Sequence, residues 1–176
     1  ITQAVKEILL QGKLLGGKNL WNAANAHEAA EVVGDAIKQV YDRDFLALKK
    51  AGIDFNCNLI FGGQVRGENP RLFNVYSAGN FIEATPENCY FQIGESKYGK
   101  PILDRVVNFQ TPLNLATKCA LISMDSTLKS NISVGLPLDL LVYEANSFHP
   151  GKLVTIDESN PYYQMIHQVW GQKLRA

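Results

Sequence analysis

The sequence predicts an α+β fold built on antiparallel sheet. Three observations carry that expectation. Helix-like and strand-like segments come in blocks, in the order ααβββ(β)ααββα, rather than in strict alternation. Turn residues separate the short apolar stretches between Phe55 and Ala84, which is the signature of a meander. Of the 176 residues 46% are hydrophobic, and 17 Lys+Arg balance 17 Asp+Glu, so a core is within reach and no charge excess opposes collapse. A chain of this size is expected to form one domain that buries roughly 70% of its unfolded surface. No linker divides residues 1–176.

The first helix carries Val5, Ile8 and Leu9 at helical spacing up to Leu10, and Gly12, Gly16 and Gly17 break it. Ile1 opens the chain inside this pattern without an initiator Met or a capping residue, so a fragment of a longer chain is expected. Lys6, Glu7 and Lys13 interrupt the apolar residues too early for a signal peptide. The second helix starts at a capping box, Asn25-x-x-Glu28, in which the Asn side chain accepts from a free backbone N–H and the Glu reaches back. Ala30, Val33, Ile37, Tyr41, Phe45 and Leu48 then form one stripe, and Lys49, Lys50 and Gly52 supply the stop signals.

Strands follow. Phe55–Phe61 is apolar-rich, and Arg71–Tyr76 alternates Leu72, Asn74 and Tyr76 against Phe73 and Val75. Gly67-Glu68-Asn69-Pro70 turns between them, and Ser77-Ala78-Gly79-Asn80 turns into Phe81–Ala84. Tyr90–Ile93 is a further candidate strand. Helices return after Gly94: Ser96 is placed to cap one carrying Ile102, Leu103, Val106 and Val107. Thr111-Pro112 reads as a cap plus Pro at the first helical position. That helix carries Leu113, Ala116, Ala120, Met124 and Leu128 on one stripe, with Leu115, Cys119 and Ile122 beside it, a face wide enough to be buried between layers. Ser133–Tyr143 and Lys152–Ile156 pair as strands, and Asn160-Pro161 starts a last helix with Tyr162, Ile166, Val169, Trp170 and Leu174.

Composition excludes several functions. The balanced charge gives no basic excess to support binding to nucleic-acid phosphates. No apolar run approaches the ~20 residues a membrane helix needs. Cys57, Cys89 and Cys119 are an odd, widely spaced set without CxxC, expected as small buried hydrophobes in a reducing compartment, the cytoplasm. Gly12–Lys18 matches GxxxxGK, but Asn19 replaces the Ser or Thr that holds Mg²⁺ and a helix precedes it, so it reads as a turn. His27, His149 and His167 show no metal-ligand spacing. A triad of Ser133, His149 and Asp157 lacks a nucleophile-elbow motif and is disfavoured. Ser123–Gly135 reads by itself as a helix terminus rich in hydroxyls, which end helices by bonding nearby backbone.

Three stretches carry a family resemblance: Gly62-Gly63-Gln64, the run GNFIEATPENCYFQIGESKYGKPILDR (Gly79–Arg105), and CALISMDSTLKSNISVGLPLDLLVY (Cys119–Tyr143). Together they resemble the bacterial proteasome-related peptidases called Anbu, a family similar to the proteasome β-subunit and to the ring peptidase HslV. The resemblance covers essentially the whole chain. It implies a four-layer αββα sandwich of the N-terminal-nucleophile hydrolases, here with its opening strands missing. Residues 1–176 would then be a proteasome-type peptidase domain incomplete at its N-terminus.

The family's nucleophile is a Thr at the mature N-terminus. Its hydroxyl attacks while its own α-amine, titrating near ~7.7–8.0, serves as base. The resemblance places that Thr, with an assisting Asp and Lys, before Ile1; Thr2 sits in a helix and is not the nucleophile. Against the proteasomal pattern D-x-x-S-G, Ser133 falls on the supporting Ser near the Thr amine, and Ser130 falls where the proteasome has Asp. At the proteasomal G-S-G turn the chain reads Gly94-Glu95-Ser96, so Glu95 replaces the supporting Ser and Ser96 lies adjacent. No metal or organic cofactor is implied.

The implied activity is threonine-type hydrolysis of peptides or unfolded protein by a homo-oligomer, a ring or an open spiral, in the cytoplasm. No nucleic acid, membrane or ATPase partner is assigned. The departures at Ser130 and Glu95 motivate an alternative, a noncatalytic self-assembling scaffold or binding subunit. A chain truly starting at Ile1 would leave strand edges unpaired and an apolar face uncovered, and is expected to be inactive and aggregation-prone.

Overall fold

The computed structural model describes residues 1–176 except Lys13, Leu15, Pro150, Leu174 and Ala176, and the side chain of Lys152. Among the described residues ten elements follow in order: α1 (Thr2–Gln11), α2 (Ala26–Lys50), β1 (Leu59–Gly63), β2 (Arg71–Val75), β3 (Phe81–Glu83), α3 (Lys100–Val106), α4 (Leu113–Ser130), β4 (Leu138–Val142), β5 (Lys152–Ile156) and α5 (Pro161–Lys173). This is the expected α+β class with antiparallel sheets. The elements gather into two compact units, Ile1–Ala84 and Thr85–Ala176.

In the first unit, α2 lies on a three-stranded antiparallel sheet of order β1-β2-β3, and α1 packs on α2. The capping box forms, with its return bond one residue before the N-cap. Asn25 Oδ1 accepts from Glu28 N at 2.8 Å, and the Glu28 carboxylate accepts in return from Ala24 N at 2.7 Å. Glu68, from the turn between β1 and β2, takes a further free donor, Ala26 N, at 3.0 Å. At the far end Gly52, at φ 68°, lets the chain fold back: Ile53 N bonds Leu48 O at 3.0 Å and Gly52 N bonds Lys49 O at 3.2 Å. Of the expected stripe of α2, Ala30, Val33 and Ile37 are buried in one core with Phe73 and Val75 of the central strand, joined by Val40, whereas Tyr41, Phe45 and Leu48 are only half-buried. Fully burying a side chain such as Ile37 is worth about 1.5–3 kcal/mol.

In the second unit, α4 and α5 pack together and cover one face of the β4–β5 hairpin. Leu138, Leu140, Val154 and Ile156 point to the helices, where they meet Leu121, Leu128, Tyr163 and Ile166. The opposite face of the hairpin carries Leu141 and Leu153, cross-strand partners that are 57% and 64% exposed. α3 packs on α4 through Gly99, where a Cβ would collide with Ser123.

Several expectations change. β1 starts at Leu59 rather than Phe55, because the Ser77 hydroxyl occupies both backbone groups of Cys57, accepting from N at 3.0 Å and donating to O at 3.1 Å. Tyr90–Ile93 is not a strand. Tyr90 is instead held by its hydroxyl on Asp104 of α3 at 2.5 Å. Ser96 does not cap α3, whose N-cap is Gly99: Glu95 Oε1 accepts from Lys97 N at 2.8 Å, and the chain makes another turn before the helix starts. Thr111 does not cap α4 either; its hydroxyl accepts from Asn108 N at 2.9 Å and closes a turn, leaving Pro112 at the N-cap. β4 starts at Leu138, because Asn131 turns the preceding segment and Pro137 has no N–H to donate. The stripe of α4 is not the buried one: Leu113 is half exposed, while Ser123, Asp125 and Thr127 are buried. Leu174, expected on the last helix, lies outside the described residues.

Candidate functional site

Four residues expected at the site, Glu95, Ser96, Ser130 and Ser133, all lie in the second unit. Ser130 is the last residue of α4, and Asn131 after it leaves helical geometry at φ −133°. Asn, with a short polar side chain, suits such a terminus because it bonds its own neighbourhood. Here Asn131 Oδ1 accepts from Ser133 N at 2.8 Å and from the Ser133 hydroxyl at 2.6 Å. The other half of the same amide reaches away: Nδ2 donates to Glu95 Oε2 at 2.9 Å. Glu95 and Ser133 are thus the two ends of one hydrogen-bonded chain, with Asn131 in its middle.

Glu95 is itself fixed by its turn. Gly94, at φ 80°, supplies the left-handed residue the turn needs. Gln92 Nε2 donates to Glu95 O at 3.1 Å. The Lys97 backbone N–H holds the Glu95 carboxyl below the ordinary glutamate range, and the Asn131 amide adds to this against a partial desolvation. The carboxylate is therefore the resting form. Ser96 contributes its carbonyl, which accepts from Lys100 N at 3.1 Å. Among the described residues Ser130 takes no part in the chain; it faces a pocket of about 550 Å³ with Ser126, Lys129 and His167. Ile132, between Asn131 and Ser133, is fully exposed.

This arrangement has a definite polarity. The Ser133 hydroxyl spends its proton on Asn131, so its oxygen is left as an acceptor for an incoming N–H group. The charge at Glu95 polarises the amide that receives that proton. The site therefore offers a fixed hydrogen-bond acceptor at Ser133 to a donor placed beside it.

A second cluster was not singled out from the sequence. Asp125, buried in α4, accepts from the Tyr163 hydroxyl at 3.1 Å and lies 2.6 Å from His167 Nδ1. Burial first, and then the Asp125 carboxylate, push the Tyr163 phenol well above its usual range. A pocket of about 380 Å³ opens here, lined by Leu128, Lys129 and Leu136 as well as these three residues. The i, i+4 step from Tyr163 to His167 was the available signal, but an Asp inside an apolar stripe gave nothing to pair it with.

The other candidates hold different places. Ser133 is bound to Asn131, and Asp157 accepts from Ser159 at 2.6 Å, so neither points to the disfavoured triad. Gly12 closes α1 at φ 60°, and Gly16 and Gly17 continue the turn with positive φ; Lys13 and Leu15 of that motif lie outside the described residues. Cys57 and Cys119 are buried and Cys89 half-buried, all three unpaired, and burial raises the Cys57 thiol. Among the described residues no group of three or more His, Cys, Asp or Glu is placed to hold a metal ion. No helix among them is long and apolar enough to cross a membrane.

No protein-family model matches the chain. No curated protein matches it. Solved structures do. Anbu (ancestral beta-subunit) from Yersinia bercovieri is similar with 50% identity and a TM-score of 0.88, over 98% of this chain and 71% of that one. An Anbu mutant (Gly-1) from Hyphomicrobium sp. strain MC1 is 45% identical with a TM-score of 0.89, over 99% of this chain and 72% of the other. Anbu from Pseudomonas aeruginosa, solved as a helical assembly, is 41% identical with a TM-score of 0.91, over 99% of this chain and 72% of its own.

Proposed function

The chain belongs to the Anbu family, and on that premise we propose that it is the larger part of a threonine-type peptidase subunit. In this reading the nucleophile is an N-terminal Thr that precedes Ile1. Its hydroxyl attacks the scissile carbonyl carbon, its α-amine takes the hydroxyl proton and passes it to the leaving amine, and water then cleaves the ester. Ser133, Ser130, Glu95 and Ser96 surround that residue. Peptides or unfolded protein are the substrates, with the exposed Ile132 offering them an apolar contact beside Ser133.

The observation that carries the reading is the free acceptor on Ser133, fixed by Asn131 at 2.6 Å, on the residue that the family resemblance assigns to the nucleophile's amine. A complete four-layer αββα sandwich belongs to the same reading. It is supported by sheets that each have helices on one face and exposed apolar residues on the other: Ile60 and Ile82 in the first unit, Leu141 and Leu153 in the second. Assembly of like subunits is supported by the helical assembly of the Pseudomonas aeruginosa relative. Three unpaired cysteines accord with the cytoplasm.

The test is peptide cleavage by the complete protein, compared with a variant whose first mature residue is Ala. Loss of cleavage in the variant is expected. Equal cleavage by both overturns the threonine mechanism, and no cleavage by either, with assembly intact, favours the noncatalytic scaffold.

A further inference from the structure

We propose that Asn131 is a positioning residue through which the Glu95 carboxylate acts on Ser133 and, beyond it, on the α-amine of the nucleophile. The inference rests on the peptidase reading above and deepens it by naming what tunes the amine.

The geometry is specific. One planar amide joins two segments 36 residues apart, with its donor end 2.9 Å from Glu95 Oε2 and its acceptor end 2.6 Å from the Ser133 hydroxyl. The orientation of the amide is settled by its partners. An ionised carboxylate only accepts, so Nδ2 must face Glu95; Oδ1 then faces the backbone N–H of Ser133, which only donates. The Ser133 proton therefore goes to Oδ1. Without Asn131 the hydroxyl would be free to rotate and to spend its lone pairs or its proton elsewhere. With it, the oxygen is a fixed acceptor.

Charge reaches the same point. Hydrogen bonds in series polarise one another, and a donor held by a carboxylate makes its amide oxygen a better acceptor. An amine that donates to Ser133 thus meets the far end of a chain anchored on a negative charge, which favours its protonated form. The charged group facing Glu95 is Lys97, whose backbone N–H and side chain both keep the carboxyl ionised. Ser130, at the end of α4, has no carboxylate to do this directly.

The experiment uses the complete protein with its N-terminal segment, as wild type, Glu95→Gln, Asn131→Ala and the double variant. The pKa of the N-terminal amine is read from the pH dependence of its acylation, followed by mass spectrometry of the first peptide. The pH profile of kcat/KM for a fluorogenic peptide is measured in parallel, and thermal melts check folding. Glu95→Gln is expected to lower the amine pKa by about half a unit to one unit. The acidic limb of kcat/KM then moves to lower pH by the same amount. Asn131→Ala is expected to move it in the same direction and to lower kcat, and the double variant to add nothing to the larger single effect. An amine pKa unmoved by both single variants overturns the proposal, as do additive shifts. If the amine pKa moves as stated but the wild type cleaves no peptide, the coupling holds and the peptidase reading fails.

Discussion

Asn131 Nδ2 donates to Glu95 Oε2 at 2.9 Å, tying the end of α4 to the turn that precedes α3. A buried core does not explain this contact, since Glu95 and Asn131 are only half-buried. It matters because it fixes where the next hydroxyl points. The tie also adds to what keeps Glu95 ionised. The Lys97 N–H first, and the Asn131 amide after it, lower the carboxyl, so folding stabilises its ionised form. That contribution is present above the ordinary glutamate value of ~4.3 and is lost as pH falls through the lower folded value. An NMR titration of the Glu95 side chain is expected to show a midpoint below ~4.3 that Asn131→Ala moves upward. A midpoint at or above the ordinary value contradicts the tie.

Asp125 anchors α5 to α4. Its carboxylate is buried, with Tyr163 and His167 as its partners at 3.1 and 2.6 Å. Asp125→Ala leaves the buried Tyr163 hydroxyl without its acceptor and opens a gap, at a cost of about 2–4 kcal/mol by chemical denaturation. Asp125→Asn, which keeps an acceptor, is expected to cost less.

Tyr163 gives a pH dependence of the opposite sign. Its phenol is raised by burial and by Asp125, so the folded state keeps a proton that the unfolded chain releases near ~10. The resulting stability is complete below that pH and is lost as pH rises above it. Unfolding free energy measured from neutral to alkaline pH is expected to fall more steeply in the wild type than in Tyr163→Phe.

Gly34 is fixed by a close approach. It lies in mid-helix, where Ala would normally favour the helix, but a Cβ there would collide with the backbone carbonyl of Gly79. Backbone does not yield as a flexible side chain does, so Gly34→Ala is expected to destabilise by about 1–3 kcal/mol in a thermal melt. A neutral or stabilising result means that the α2 contact with the Gly79 turn is looser than described.

Leu141 and Leu153 test the sandwich. Both are largely exposed in the second unit, so with nothing over that face Leu141→Asp would cost no more than about 0.5 kcal/mol. On the proposed four-layer reading this face is covered in the complete protein, so the same substitution buries an unpaired charge there and a loss above ~2 kcal/mol is expected. A loss within about 0.5 kcal/mol in the complete protein, read by chemical denaturation, contradicts the four-layer arrangement.

Local chemistry was the legible part of this fold. The capping box at Asn25 and Glu28, the stripe of α2, and the alternation of Arg71–Val75 all rest on contacts within a few residues, and each took its expected place. Ser96 and Thr111 show the limit: each is a good capping residue by type, but its neighbourhood offered a competing turn. The polar side of α4 was hidden for another reason. Ser123 and Thr127 are buried because Gly99 lies against them, and Asp125 because Tyr163 and His167 meet it from α5, contacts that no helical period encodes. Glu95 and Ser133 came from family runs, whereas Asn131, the residue that joins them, was invisible until the fold brought segments 36 residues apart together.

The most direct measurement is the mass of the complete protein after incubation with a peptide epoxyketone, which needs both the hydroxyl and the α-amine of an N-terminal nucleophile. One adduct per chain is expected, located on the first mature residue and formed more slowly in Asn131→Ala than in the wild type. An unmodified protein, or an adduct on any residue of these 176, contradicts it.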